Sequence, residues 1–160
     1  MAVELGHLRS EELEQLYEAF PLIALLIAGA DGDISDAEIE WSKKITHIRS
    51  YKMKADLKVF YSEVDDRFYK SFDHFRDLMP AGVKERTEAI SERLSKINYI
   101  LAKLEPETGA KLYKGFVTFA EQVAKSDGGV MGFFTFSREE AGLLNLPMID
   151  PIVSSSEEEE

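Results

Sequence analysis

Four carboxylates crowd one short connection, "IAGADGDISDAEIEW" at 27–41: Asp31, Asp33, Asp36 and Glu38. Clustered side-chain oxygens are what a hard divalent cation needs. Part of the pattern returns later. "IAGADG" at 27–32 and "VAKSDG" at 123–128 both end an apolar run in Asp-Gly, and "ISDAE" at 34–38 and "FSREE" at 136–140 both read apolar, Ser, two variable residues, Glu. The offsets are 96 and 102, so the second copy carries six extra residues within "GGVMGFFT". The repeated unit is a helix, an Asp-Gly turn and a serine-capped helix.

Much of this unit has a purely structural use. Ser35 as N-cap puts Glu38 at the third helical position, which is a capping box, and Ile34 and Ile39 complete a hydrophobic staple. Ser137 and Glu140 repeat the box, with Phe136 facing Ala141. Such a cap is worth ~1 kcal/mol. Gly32 and Gly128 suit helix C-termini that need positive φ. Asp31 and Asp127 are different, because an acid at a helix C-terminus meets the negative end of the dipole. Each either accepts bonds from the amides opening the next helix or ligates a cation. Asp33 has no counterpart, since Gly129 takes its place, and Asp36 is matched by Arg138. An EF-hand is excluded: with Gly32 at loop position six, Ile27 and Gly29 would occupy the first and third ligand positions. A cation shared by two half-loops remains, with Asp31, Asp33, Glu38, Asp127 and Glu140 as candidate ligands and Ca²⁺, Mg²⁺ or Zn²⁺ as the ion, weakly bound.

Composition narrows the other chemistries. The chain has 160 residues, no cysteine and a formal net charge of −11, of which Glu157–Glu160 supply four. Thiolate chemistry is excluded, and nucleic acid is disfavoured by the acidic balance. His7, His47 and His74 are unpaired at helical spacing and form no HExxH. No nucleophile elbow or phosphate-binding glycine loop occurs, so the expectation is a protein that is not an enzyme. The run Glu63, Asp65, Asp66, Arg67 reads as a solvated face. In "GGVMGFF", Met131 and Phe133 either fold over the core or contact a partner or membrane surface. The N-terminus lacks the basic-then-apolar order of a signal peptide, and "PLIALLIAGA" is about half the roughly 20 residues of a membrane span. A cytoplasmic protein is expected.

Helical periodicity must position these groups. Leu13, Leu16, Tyr17, Phe20, Ile23, Ala24 and Ile27 recur at spacings of three and four behind Ser10 as N-cap. Pro21 predicts a kink there or two abutting helices. Leu22–Ala30 is apolar on all sides, as in a central helix. A second helix is expected from Ser35 to about Arg49. A third carries Leu57, Phe60, Val64, Phe68, Phe72, Phe75 and Leu78 and ends at Pro80–Gly82. Val83, Ile90, Leu94, Ile97, Leu101 and Leu104 predict one helix of roughly 30 Å. Pro106 opens another, and a last one starts at Ser137 and stops before Pro147. The expected architecture is a single-domain, all-α bundle of about six to eight helices over residues 1–153, with a disordered acidic tail at 154–160.

With its motifs "ADGDISDAEIEW" at 30–41 and "SDGGVMGFFTFSREEAGLL" at 126–144, the chain resembles the tellurite-resistance protein B (TerB) family and its wider TerB-like group. The resemblance spans about residues 11–149. It implies a helical bundle whose two Asp-Gly turns come together. It also implies a non-enzymatic module that binds divalent cations through Asp31, Glu38, Asp127 and Glu140. The context it implies is tellurite and other stress resistance, with a protein partner or membrane-associated complex at the membrane's inner face. Ser126 stands where that family has alanine, and the second loop is lengthened. The other expectation is a plain helical interaction scaffold whose Asp, Glu and Ser residues only cap helices.

Overall fold

The computed structural model describes residues 5, 7–30, 34–128 and 142–152, without the side chains at 55, 56 and 126–128. Six helical segments follow one another: α1 (Ser10–Ala28), α2 (Asp36–Lys52), α3 (Ala55–Leu78), α4 (Val83–Ser95), α5 (Ile97–Leu101) and α6 (Pro106–Gly128). No strand occurs among the described residues, and the chain is an all-α bundle. The start of the last expected helix at Ser137 and the tail at 154–160 lie outside the described residues.

The all-round apolarity of α1 is used as such. Every residue from Leu22 to Ala28 is buried, and α1 touches each of the other five helices. Phe20 sits at the hub, with the rings of Phe60, Tyr61, Phe116 and Phe119 at 5.0–6.0 Å in tilted or edge-on contact. Those geometries favour the aromatic quadrupoles over face-to-face stacking. Of the two expectations for Pro21, abutting helices do not occur, since α1 runs unbroken through it. A missing donor costs one backbone bond, and the buried proline ring recovers apolar contact in exchange. The N-cap also differs from expectation. It is Arg9, whose N–H donates to Glu12 Oε1 at 2.9 Å, while Ser10 is the first helical residue.

That makes Glu12 a structural acid. Its side chain is 4% exposed and pairs with Lys103, beyond α5. The Lys103 hydrogen bond, helped by the Arg9 amide, lowers the Glu12 carboxyl from 4.5 to about 2. Its contribution to stability is therefore complete above pH 4.5 and is lost as pH falls toward 2. In urea titrations across that range, Glu12→Gln is expected to be less stable than the parent at neutral pH. The gap should narrow on acidification. A gap constant from pH 6 to pH 2 would refute the assignment.

The expected stripe on α3 is buried at Leu57, Phe60, Val64, Phe68, Phe72 and Phe75, and only terminal Leu78 is exposed. The solvated reading of Asp65 is corrected. Asp65 is 9% exposed and bonds three residues of α2: Lys43, Thr46 at 3.3 Å and His47 at 3.1 Å. Burial pushes the Asp65 carboxyl up, but the hydrogen bonds from Lys43 and His47 outweigh it and hold it below its ordinary value. The single helix expected across 83–104 is two segments. Lys96 tightens the turn by bonding back to Arg93 at 3.2 Å, and α5 ends at Leu101. Asn98 then fastens residues 148–150, donating to Met148 O at 3.0 Å and accepting from the Asp150 amide at 2.7 Å. Leu146 reaches this strap with φ 47 and no exposure. Left-handed backbone costs a leucine roughly 1–2 kcal/mol, a sum that complete burial of its side chain can offset.

Candidate functional site

The α2–α6 pairing decides where the two Asp-Gly turns can lie. Trp41 Nε1 donates to Gln122 O at 2.8 Å, and Arg49 Nη1 donates to Gly115 O at 2.9 Å. Numbers rise along α2 as they fall along α6, so the helices are antiparallel. The Asp36 end of α2 therefore lies at the end of the pair where α6 finishes at Gly128. The chain thus enters α2 and finishes α6 at one end of the pair.

Side-chain geometry at that end is described for one expected ligand. Glu38 is 3% exposed, and its Oε1 accepts from Ser35 Oγ at 2.9 Å and from the Ser35 amide at 3.4 Å. Ser35 Oγ in turn accepts from the Glu38 amide at 3.1 Å. The capping box is thus complete, and it occupies one carboxylate oxygen. Asp31, Asp33 and Glu140, the Asp127 side chain, and the partner-contact candidates Met131 and Phe133 lie outside the described residues. Among the described residues, no group of three or more His, Asp or Glu could hold a metal ion.

The negative end of α1 has a cation of its own. Arg86 of α4 is buried, and its Nη2 donates to Gly29 O at 2.8 Å and its Nη1 to Ala81 O at 3.1 Å. A guanidinium on the last turn complements the helix dipole. Sequence alone suggested that an external ion could serve there.

The other end of the α2–α6 pair is opposite in character. A groove of about 600 Å³ opens between α2, the start of α3 and α6, and among its lining residues are Arg49, Lys52, Lys54, Lys111 and Lys114. Among the described side chains no carboxylate lines it, and Met53 and Leu57 are part of the lining. Arg49 is 9% exposed and donates to four neutral acceptors: Tyr61 Oη at 3.1 Å, Gly115 O at 2.9 Å, Thr118 Oγ1 at 3.0 Å and Gln122 Oε1 at 3.1 Å. Its guanidinium also lies over the Tyr61 and Phe119 rings, at 5.3 and 5.7 Å. No Asp or Glu pairs with it among the described residues. Sequence reading missed this site. Its only local signal is the run "RSYKMK" at 49–54, which by itself reads as cations favoured at a helix C-terminus.

No helix among the described residues is long and apolar enough to cross a membrane. Comparison of the chain with protein-family models, with characterised proteins and with solved structures finds no match.

Proposed function

We propose that this chain is a non-enzymatic, TerB-like helical module that takes a divalent cation at the acidic end of its α2–α6 pair. Asp31, Asp33, Glu38, Asp127 and Glu140 are its oxygen ligands. The antiparallel α2–α6 register carries this reading, because it sets the start of α2 and the finish of α6 at one end of the bundle. Binding is weak, and the ion is Ca²⁺, Mg²⁺ or Zn²⁺. The proposed setting is a stress response of the tellurite-resistance kind, in the cytoplasm or on the inner membrane face. There Met131 and Phe133 meet a partner.

Titrating each ion into isotope-labelled protein tests the proposal. The expected result is movement of the Ser35, Asp36 and Gly128 amides at millimolar ion, abolished by Asp31→Asn with Asp127→Asn. A second reading is a scaffold whose acids only cap helices. It is favoured by the closed Ser35–Glu38 box and by Arg86 on the Gly29 carbonyl. Amides that stay still with both aspartates intact would leave that reading standing and remove the cation.

A further inference from the structure

A pocket of about 230 Å³ opens between α1 and the corner where α4 meets α5. Gln15, Glu18 and Leu22 line it from one face of α1, at spacings of three and four. The tight turn of the corner lines it from the other side. There Lys96 N–H donates to Arg93 O at 3.2 Å, and a bond of that span sets side chains three residues apart on one side of the turn. Arg93 and Lys96 are thus two like charges facing one pocket. On the α1 side stands Glu18, half-buried, whose carboxyl is pushed up by burial and by Glu14 despite the charges of Arg93, His74 and Arg67. Among the described residues, no hydrogen bond or ion pair engages the side chains of Gln15, Glu18 or Lys96. The Arg93 guanidinium lies over the Phe75 ring at 5.2 Å, with no carboxylate in ion-pair contact. The apolar part of the lining is Leu22, Leu94 and Ile97, all buried.

We propose that this pocket binds a free α-amino acid with an aliphatic side chain. The ligand's carboxylate meets Arg93 and Lys96, its ammonium meets Glu18, and its side chain lies on Leu22, Leu94 and Ile97. The Gln15 amide can donate to the one group or accept from the other. A lining of both signs favours a zwitterion over either single charge. A simple anion would face the Glu18 carboxylate, and a simple cation would face Arg93 and Lys96. Size favours a small zwitterion, because clefts for larger ligands run to about 300–1,000 Å³ and this one is smaller. Glu18 also lines a depression between α1 and α3, but there Arg67 is already engaged, with Glu63 at 3.1 Å and Glu14 at 3.6 Å. Glu18 lies about 15 Å along α1 from Ala28, the end that leads to Asp31. The pocket is thus remote from the proposed cation site, and either can fail alone.

The test uses the full chain, followed by methyl and amide NMR, with L-leucine as probe. Three analogues each lack one feature: 4-methylpentanoate the ammonium, leucinamide the carboxylate and glycine the side chain. Saturable shifts confined to Leu22, Leu94, Ile97 and their neighbours are expected at millimolar leucine. Each analogue should bind at least about tenfold more weakly. Glu18→Gln keeps the shape of the side chain and should weaken leucine about tenfold while leaving the fold's spectrum intact. Lys96→Gln, at an exposed position, should weaken it about threefold, since Arg93 remains. Absence of saturation by leucine, isoleucine and valine alike would overturn the proposal, as would leucine binding unchanged by Glu18→Gln. So would binding of 4-methylpentanoate or leucinamide as tight as that of leucine, which would assign the pocket to a simple anion or a simple cation.

Discussion

Arg49→Ala lowers the unfolding free energy by about 3 kcal/mol, a fall in Tm on the order of 10 °C for a chain of this length. The expectation comes from what the side chain joins. Arg49 belongs to α2, Tyr61 to α3, and Gly115, Thr118 and Gln122 to α6, so one guanidinium ties three helices. Hydrogen bonds to a charged group are worth about 1.5–3 kcal/mol each, but these four do not add. Thr118 and Gln122 are half-buried and can turn to water, whereas the Tyr61 hydroxyl is fully buried and would be stranded. Removing an unpaired charge also returns some desolvation energy, which keeps the loss below the sum of the bonds. Arg49→Met should lose roughly half as much, because it keeps apolar contact with the Tyr61 and Phe119 rings. Arg49→Lys should fall between the two, since an ammonium cannot reproduce the planar fork. Urea unfolding of the three variants provides the comparison. An alanine variant within about 0.5 kcal/mol of the parent would mean that the network does not hold the helices together.

The helices were legible because an apolar stripe is a local property. Phe68, Phe72 and Phe75 repeat within two turns, and their shared face is fixed before any partner is known. The Ser35–Glu38 box was legible for the same reason, its two residues lying three apart. Readings failed where distant chain decides. Asp65 looked solvated among Glu63, Asp66 and Arg67, yet its partners Lys43 and His47 come from the preceding helix. The Pro21 rule is local and correct about the lost donor. A helix surrounded by five others nevertheless has enough burial to continue through it. The groove was invisible for a related reason. Its cations come from 52–54 and 111–114, and only the antiparallel docking of α2 on α6 makes them neighbours. Arg49 bonds residues 66 to 73 positions away in the chain, a range that no periodicity covers. The acidic end divides along the same line. Its caps are local and readable, whereas a shared ion depends on tertiary placement.

Gly115→Ala should destabilise the protein, against the usual rule for a helix interior. Alanine normally improves on glycine there by about 0.8–1 kcal/mol. At 115, within α6, a new Cβ would stand 2.5 Å from the Tyr61 hydroxyl oxygen. That ring cannot retreat easily: Tyr61 is fully buried, with Phe20 at 5.5 Å and Phe60 at 5.3 Å. Overpacking of this kind costs about 1–3 kcal/mol, which exceeds the propensity gain, so a net loss of roughly 1 kcal/mol is expected. Tyr61→Phe supplies the control. Without the hydroxyl, the nearest remaining neighbours of the Cβ are Arg49 Nη1 at 3.7 Å and Tyr61 Cζ at 3.8 Å, both ordinary contacts. In that background Gly115→Ala should stabilise by about 0.5–1 kcal/mol, as propensity alone dictates. A double-mutant cycle by urea unfolding would then return a coupling of about 2 kcal/mol between residues on different helices. The same alanine effect in both backgrounds would place the α3–α6 contact elsewhere. A reversal of sign would locate it at the Tyr61 oxygen, where the buried arginine also bonds.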